Sequence, residues 1–547
     1  MILRCTLIAA AVLAAYAAHA QTPPDAGRVL QETRLGLEAP KPAPKVDLQA
    51  PAEGAALPGG AKVTLAAVKL TGNTVFSEAA LLSALGDFEG QTYDLAGLQG
   101  LARKLTDYYR AAGYPFARAV IPAQRFEGGV LEIRIVEGRY GRVQAQGERS
   151  EEAQRFLASL TPGAVIATEP LERATLILSD QPGIRITPIM RPGQEIGTGD
   201  LIVDVTREPM FHAEVGADNH GNRYTGQTRV RARVQADSPF WLGDQLLGQL
   251  LYTDEHMWQG GLSYSLPLGS SGLRGQIGYV HTYYELSKDF ANLQAHGTAD
   301  IASLMLSYPI LRSHAANLAV GLGYQHKRLE DRQDATSTRN DKSSDLVPLT
   351  LQFDRRDAWG LTYGQAAYTA GRLKLDSILE AADIASGMHS RGHFGKWNLD
   401  LARLNTTPLD GLTLFGRLSA QWASKNLDSS ESFILGGATG VRAYPNGEGA
   451  GDQGWLAQIE ARYRIGQTEP FLFYDAGHVE INAKPGGITP PVTDNTRSIA
   501  GAGLGVRYAS GALSLEATAA WRAHGGKPQS DTKDDNPRLW LTAGYRL

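Results

Sequence analysis

The sequence predicts a signal peptide, then two α+β domains, then an all-β transmembrane barrel of about 16 antiparallel strands. Three observations lead to this prediction. The first residues have the layout of a cleaved leader, a short order of strands and helices occurs twice, and the C-terminal part alternates apolar and polar side chains in many short segments.

The N-terminus has the parts of a secretory signal peptide. Arg4 supplies a positive charge, residues 7–18 form a short apolar run, and Ala18-His19-Ala20 places small residues at a cleavage site. A membrane-spanning helix would need about 20 apolar residues, so this run is too short. We therefore predict a signal peptide over residues 1–20. Cys5, the one cysteine, would leave with it, which excludes disulfides and thiolate chemistry in the mature protein.

The charge and hydropathy of the mature chain exclude other classes. The formal net charge is -4, which gives no argument for a nucleic-acid partner. No later stretch is long and apolar enough for a transmembrane helix. Any membrane crossing must therefore use a closed barrel, because only helices and barrels satisfy every backbone polar group in lipid.

Residues 21–62 differ in composition from the rest. A helix is predicted from Asp25 to Leu37, followed by a proline-rich linker that would stay extended and outside any core. From composition the segment is either a disordered terminus or a mobile element that docks elsewhere in the protein. Its prolines after the helix are Pro40, Pro42, Pro44, Pro51 and Pro58.

Residues 63–138 and 139–208 are predicted to be two copies of one small domain, because each has the order β-α-α-β-β. Ser77 is a plausible N-cap, and the sequence from Leu131 to Val136 matches that from Leu201 to Thr206. The first copy is predicted as Thr64–Gly72, Ser77–Phe88, Asp94–Ala112, Arg118–Arg125 and Val130–Glu137. The second is predicted as Arg142–Gly147, Glu151–Leu160, Glu169–Ser179, Ile184–Met190 and Asp200–Thr206.

A three-stranded sheet of this kind leaves an edge to which an extended peptide can add through main-chain hydrogen bonds. The edge beside the strand from Arg118 to Arg125 is the predicted docking site, and the alternative is that the two domains are only spacers. The residues predicted to contact a partner there are Arg118, Val120, Pro122, Gln124 and Arg125.

From residue 209 to 547 the chain shows the repeated alternation of transmembrane strands. In the segment from Thr228 to Ala236, valine and alanine occupy one face and Arg229, Arg231 and Arg233 the other. The arginine face cannot touch lipid, so it is predicted to face the lumen. A soluble β-sandwich also alternates, but its apolar faces need a second sheet.

The connections between these strands alternate short and long, as in outer-membrane barrels, which argues against the sandwich. An even strand number places both ends of the barrel on one side of the membrane. The predicted long connections are Glu285–Gln294, Arg328–Ser344, Lys374–Gly392, Ala423–Gln453, Asn482–Thr496 and His524–Asn536.

The longest connection and a later strand carry two motifs. The loop has the sequence Gly440-Val441-Arg442-Ala443-Tyr444, and the strand motif consists of Phe473, Asp475 and Gly477. Strand alternation aims the Asp475 carboxylate into the lumen. The alternatives are that Arg442 folds inward and meets it, or that Arg442 lies on a solvated loop and Asp475 only lines the pore.

The two motifs resemble those of the two-partner secretion transporters, which share a superfamily with the barrel assembly machinery. The repeated domain resembles their POTRA domains, on Gly72-Asn73-Thr74-Val75-Phe76, Gly113-Tyr114-Pro115 and Glu137-Gly138. The resemblance implies an inward loop held by an Arg442–Asp475 pair, and it places the helix from Asp25 where the family has a pore plug. Two departures are Ala443, where the family has glycine, and the last residue Leu547, where it has an aromatic residue.

The resemblance implies a transporter in the outer membrane with its POTRA domains in the periplasm. It would receive an unfolded partner, a large and often β-helical adhesin, haemolysin or contact-dependent toxin, and export it. The barrel is expected to be a monomer in contact with outer-membrane lipid, with no cofactor, metal or catalytic residue.

Three rival functions remain: an assembly factor of the same superfamily, a passive porin and an outer-membrane hydrolase. Against the last, the histidines near strand ends show no nucleophile or metal-ligand spacing. These are His220, His256, His281 and His393.

Overall fold

The structure is a computed structural model that describes residues 23–33, 39–40, 59 and 61–547. The predicted signal peptide, the C-terminal end of the predicted helix and nearly all of the linker lie outside the described residues. Within these ranges no helix is both long and apolar enough to cross a membrane.

The first α+β unit is a three-stranded sheet covered by two helices. The sheet order is β2–β5–β4. Strand β5 lies in the centre, parallel to β2 and antiparallel to β4. Ser77 and Asp94 cap the two helices, as each side chain accepts a backbone N–H of the first turn. The elements are β1 (Val63–Thr64), β2 (Ala67–Thr71), α2 (Glu78–Leu85), β3 (Thr92–Tyr93), α3 (Leu95–Ala111), β4 (Arg118–Val120) and β5 (Val130–Val136), after α1 (Ala26–Glu32).

The second unit repeats this topology in the sheet order β6–β8–β7. Gly72 and Gly147 end the first strand of each unit with φ of +82° and +93°. A Cβ there would lie 2.3 Å from the Ile135 and Val205 carbonyl oxygens, respectively, so both positions exclude a side chain. The elements are β6 (Arg139–Gly147), α4 (Ser150–Gln154), α5 (Thr168–Ser179), β7 (Ile184–Pro192) and β8 (Thr198–Arg207).

Glu137 joins the two units through a buried hydrogen-bond network. Its carboxylate accepts the Val75 backbone N–H at 2.8 Å and the Tyr109 hydroxyl at 3.1 Å, and it pairs with Arg139 at 3.1 Å. Burial raises the pKa of Glu137, but these donors and Thr74 outweigh it and leave the pKa below its ordinary value of 4.5.

The substitution Glu137→Gln is expected to loosen this junction by about 1–3 kcal/mol, because the four residues that donate to Glu137 lose a charged acceptor. Because the folded pKa is lowered, the stabilisation is complete above pH 4.5 and is lost as the pH falls through the folded pKa. Hydrogen exchange of peptides around Thr74 and Tyr109 in the full-length protein, corrected for intrinsic rates, measures both effects. Equal protection in both proteins at pH 7 would contradict this role.

The described residues after β8 form one closed barrel of sixteen strands in which neighbours are antiparallel. The first and last strands close it through five residue pairs, from Asp218↔Thr542 to Glu214↔Arg546. The strands are β9 (Phe211–Asp218), β10 (Arg229–Asp237), β11 (Gln245–Thr253), β12 (Trp258–Pro267), β13 (Arg274–Glu285), β14 (Ala295–Arg312), β15 (Ala316–Gln333), β16 (Thr338–Asp357), β17 (Gly360–Leu375), β18 (Gly392–Thr406), β19 (Leu412–Ala423), β22 (Gln453–Tyr463), β23 (Thr468–Glu480), β24 (Thr496–Ser510), β25 (Leu513–His524) and β26 (Arg538–Arg546). A short helix, α6 (Ser377–Ser386), lies between β17 and β18.

The strands face lipid and lumen as their alternation predicts. On β10, Val230 and Val234 are 56% and 51% exposed on the outer surface, while Arg229 turns inward and pairs with Asp218 at 2.6 Å. The last strand likewise exposes Leu539 and Leu541. The predicted barrel fold is confirmed.

One predicted connection is wrong. The segment from Arg328 to Ser344 is mostly strand, since β15 runs to Gln333, β16 begins at Thr338, and the two pair up to Gln333↔Thr338. At the level of the sequence, the many charged and hydroxyl side chains of this segment favour a loop. They are compatible with strands because this hairpin projects beyond the apolar belt, where both faces meet water or polar groups.

Candidate functional site: the inward loop and the lumen

The connection between β19 and β22, residues 424–452, folds into the barrel and is called the inward loop below. Its strands β20 (Phe433–Ile434) and β21 (Ala450–Gly451) pair as a short ladder. Leu435, Val441 and Tyr444 are fully buried and pack against side chains of β22 to β25. The loop is thus held to the wall by an apolar core of its own.

Arg442 lies at the centre of this contact. Its Nε and Nη2 donate to the two Asp475 carboxylate oxygens at 2.8 and 2.7 Å, and its backbone N–H donates to the same group at 3.1 Å. Its Nη1 donates to Glu460 at 2.6 Å. Arg442 is 5% exposed and Asp475 is 0% exposed, so this is a bidentate pair shielded from water.

Neighbouring side chains fix the geometry of Arg442. The guanidinium stacks 3.6 Å from the centre of the Phe473 ring, and the Trp540 indole N–H donates to the Arg442 carbonyl at 2.7 Å. Gln458 donates to the Gly440 carbonyl at 2.8 Å. The loop motif and the strand motif therefore meet, and β26 contributes a third contact.

Inward-facing glycines of the wall make room for the loop. A Cβ on Gly477 would lie 2.6 Å from Leu435 Cδ2, and one on Gly501 would lie 2.4 Å from Ala443 Cβ. Ala443 is buried, and its backbone φ is not positive. Alanine is therefore accommodated at this motif position, because Gly501 opposite carries no side chain.

A second carboxylate ties the inward loop to the loop between β25 and β26. Glu448 is fully buried, accepts Arg497 Nη2 at 2.7 Å, and accepts the backbone N–H groups of Gln529 and Ser530, each at 2.8 Å. The Tyr444 hydroxyl donates to the His524 carbonyl at 2.7 Å. The two loops form one connected cover over this side of the lumen.

Helix α1 lies inside the barrel. Ala26 and Val29 are buried against inner-wall and loop residues, including Tyr284 and Leu329. The helix begins at Ala26 with Asp25 as its N-cap, and Glu32 is the last helical residue. The predicted extension to Leu37 lies outside the described residues.

Asp25 connects α1 to both the wall and the inward loop. It accepts Lys342 Nζ of β16 at 2.8 Å and Ser429 Oγ of the loop at 2.6 Å, while Lys342 also binds Asp428 at 2.8 Å. At the other end, Glu32 accepts Asn222 Nδ2 at 2.9 Å. Beside the helix a polar cavity of about 820 Å³ remains, lined by Gln249, Gln352, Asn398 and others.

Residues 197–508 match the family model described as "Haemolysin secretion/activation protein ShlB/FhaC/HecB", which is more than half of the chain. The chain belongs to this family. Residues 63–138 also match the model "POTRA domain, ShlB-type".

Two known transporters are similar to this chain over most of its length. The heme/hemopexin transporter protein HuxB of Haemophilus influenzae is 25% identical over 84% of this chain and 83% of its own. The hemolysin transporter protein ShlB of Serratia marcescens is 25% identical over 85% and 84%. The structure of CdiB from Escherichia coli is similar in fold, with a TM-score of 0.74 at 19% identity over 91% of this chain and 93% of that one.

The protein is thus an outer-membrane transporter of the two-partner secretion type, with the POTRA domains in the periplasm and a secreted partner as its cargo. The fold class, function and location predicted from the sequence are confirmed.

The predicted docking edge is smaller than the sequence suggested. Strand β4 ends at Val120, and the Ala119 backbone N–H already donates to Thr106 of α3 at 3.0 Å. Gln124 turns back, accepting the Glu132 N–H at 2.7 Å and donating to its carbonyl at 2.8 Å. Pro122 and Arg125 lie outside strands, and Val120 is 41% exposed at the end of β4.

Sequence reasoning missed several residues of the site. Glu460 could be placed on the inward face by alternation, but nothing assigned it to Arg442. Trp540 and Lys342 belong to no sequence motif. They contact Arg442 and Asp25, respectively, which are far from them in the sequence.

Proposed function

We propose that export requires the inward loop to be fixed by Arg442, Asp475 and Glu460, and that α1 is a removable plug. The arrangement of Arg442 supports the first part, because three hydrogen bonds to one buried carboxylate define a single loop position. The contacts of Asp25 with Lys342 and Ser429 support the second, because each can be exchanged for water when the helix leaves.

The lumen between α1 and the wall suits an extended polypeptide. Its lining is rich in side-chain amides, which can exchange hydrogen bonds with any main chain without selecting a sequence. Helix α1 occupies part of the lumen beside this cavity and narrows the passage. Opening therefore includes departure of the helix, and folding of the partner outside supplies direction.

The partner is a large adhesin, haemolysin or contact-dependent toxin that arrives unfolded. The names of two relatives, a hemolysin transporter and a heme/hemopexin transporter, are compatible with an exoprotein of this kind. The transporter acts as a monomer without catalysis, cofactor, metal or nucleic acid. Residues 1–20 are its signal peptide, 21–62 hold the plug and linker, 63–138 and 139–208 are the two POTRA domains, and 209–547 is the barrel.

Co-expression with an exoprotein encoded beside this gene tests the function. Secretion of that exoprotein only when the transporter is present supports export. A general defect in other outer-membrane proteins upon deletion, with no effect on the exoprotein, would instead favour an assembly factor.

A photo-crosslinking residue at Val120 is expected to capture the partner during export, because this side chain lies at the accessible end of β4. Ile196, fully exposed on the second unit, is the control position. Crosslinks at Ile196 but not at Val120 would contradict docking beside Arg118 and Arg125.

A further inference from the structure

Two neighbouring hairpins carry the same polar set on the outside of the barrel, away from the transport site. Each has a tyrosine, a histidine two residues later, and an aspartate 19 residues after the histidine, on the next strand. The first set is Tyr279, His281 and Asp300, and the second is Tyr324, His326 and Asp345.

Both sets make the same contacts. His281 Nδ1 lies 2.7 Å from Asp300 Oδ1, and the Tyr279 hydroxyl donates to the same carboxylate. In the second set, these contacts to Asp345 are 2.8 Å from the histidine and 2.8 Å from the tyrosine, and Lys374 adds a donor at 3.0 Å. The repetition indicates one built arrangement used twice.

The sets face away from the lumen, at the end of the barrel that carries the extracellular loops. Ile277 and Leu322, two residues before the tyrosines on the same strand faces, are 57% and 52% exposed on the lipid side. Tyr279 and Tyr324 are 50% and 46% exposed, as in an aromatic girdle. His281 and His326 lie two residues further along these strands, towards the long loops, and each is directly across from its aspartate. Residues just beyond an aromatic girdle are expected at the level of the lipid headgroups.

Two arginines at this level lie beside the aspartates of the two sets. Arg328 lies directly across from Asp300, and Arg372 lies directly across from Asp345. Both are exposed, and neither makes a hydrogen bond or an ion pair with any residue that the structure describes, although Arg328 interacts with Asp300 through its charge. Arg328 and Lys374 stand in one row with Ser343 between them, two strand spacings or about 10 Å apart.

We propose that this patch on β13 to β17 binds the phosphorylated headgroup of lipopolysaccharide in the outer leaflet. Exposed guanidinium groups with unused hydrogen-bond donors above an aromatic girdle match a phosphate at the membrane interface, because arginine binds phosphate through paired hydrogen bonds. The two carboxylates accept their hydrogen bonds from the neighbouring tyrosines, histidines and Lys374, so the donors of Arg328 and Arg372 are available for the ligand. The site gives the barrel a fixed contact with its leaflet on the side opposite the β9–β26 seam.

The test uses the full-length protein in detergent, freed of lipid, and native mass spectrometry with diphosphoryl lipid A or phosphatidylglycerol as the probe. The double variant Arg328→Gln/Arg372→Gln is expected to bind diphosphoryl lipid A at least about tenfold more weakly than the wild type. Arg355→Gln is the matched control, since Arg355 is an exposed arginine on the outer face of β16 at the periplasmic end, and it should bind as the wild type does.

Equal binding of lipid A by the wild type and the double variant would overturn the proposal, as would binding of phosphatidylglycerol as tight as that of lipid A. Heat-modifiable mobility checks that each variant is folded. If the double variant fails this check, the single variants Arg328→Gln and Arg372→Gln take its place, each with a loss of several-fold expected. The amount of lipopolysaccharide that copurifies from the outer membrane gives a second readout with the same two outcomes.

Discussion

Cells that carry Arg442→Ala are expected to secrete the partner at least about tenfold less than wild-type cells, although the barrel still inserts. The substitution leaves Asp475 buried without its cation, a change that costs about 3–5 kcal/mol in other proteins. It also removes one of three arginines that pair with Glu460, the others being Arg462 and Arg507. Because the barrel wall does not depend on the loop for its hydrogen bonds, the loop is displaced and the barrel survives. Secretion is measured in culture supernatant, and insertion by heat-modifiable mobility.

Two variants sharpen this prediction. Arg442→Lys keeps the charge but cannot bind both Asp475 oxygens in the same way, so an intermediate loss is expected. Arg403→Ala removes another arginine–aspartate pair, with Asp357, which is partly exposed at 29% and 36%, and should leave secretion unchanged. Normal secretion by inserted Arg442→Ala would show that the loop contact has no part in export.

Lys342→Met is expected to release α1 and to raise the conductance of single barrels several-fold in planar bilayers. Lys342 is the shared partner of Asp25 on the helix and Asp428 on the loop, so its loss leaves two carboxylates facing each other. The helix has only seven residues and is stable only through its contacts with the wall and the loop, among which the Lys342 pairs are the charged ones shared with the loop. Without the helix, the polar cavity would become part of a continuous pore through the barrel.

The control is Lys533→Met, which removes an exposed lysine that pairs with Asp535 in an extracellular loop. It should conduct as the wild type does. A variant lacking residues 25–33 gives the upper limit of conductance. If that deletion conducts no more than the wild type, α1 does not obstruct the pore.

The sequence predicted the barrel well because lipid imposes a rule on every strand. Val230 and Val234 must alternate with Arg229 and Arg233, whatever their neighbours are, and this signal survives in each segment. Alternation of apolar and polar residues is not required outside the lipid, so it cannot reveal strands there. The hairpin between Arg328 and Ser344 projects beyond the apolar belt, so its polar residues form strands although their composition predicts a loop.

The contacts of α1 needed the structure. A short helix has the same composition whether it is free or docked. Gly27 allows the helix to approach closely, since a Cβ there would lie 2.6 Å from the Ser430 backbone nitrogen. This close contact between Gly27 and the inward loop can be seen only once the loop is placed inside the barrel.

By itself, the sequence determined the repeated α+β unit, the barrel and the two motifs that meet at Arg442 and Asp475, because periodicity and local motifs depend on residues close in the chain. The tertiary structure alone decided that Glu460 and Trp540 share Arg442, and that Lys342 connects Asp25 with Asp428. These contacts join residues up to 317 positions apart. Closing the barrel brings them together, and no local pattern records which distant side chains will face one another across the lumen.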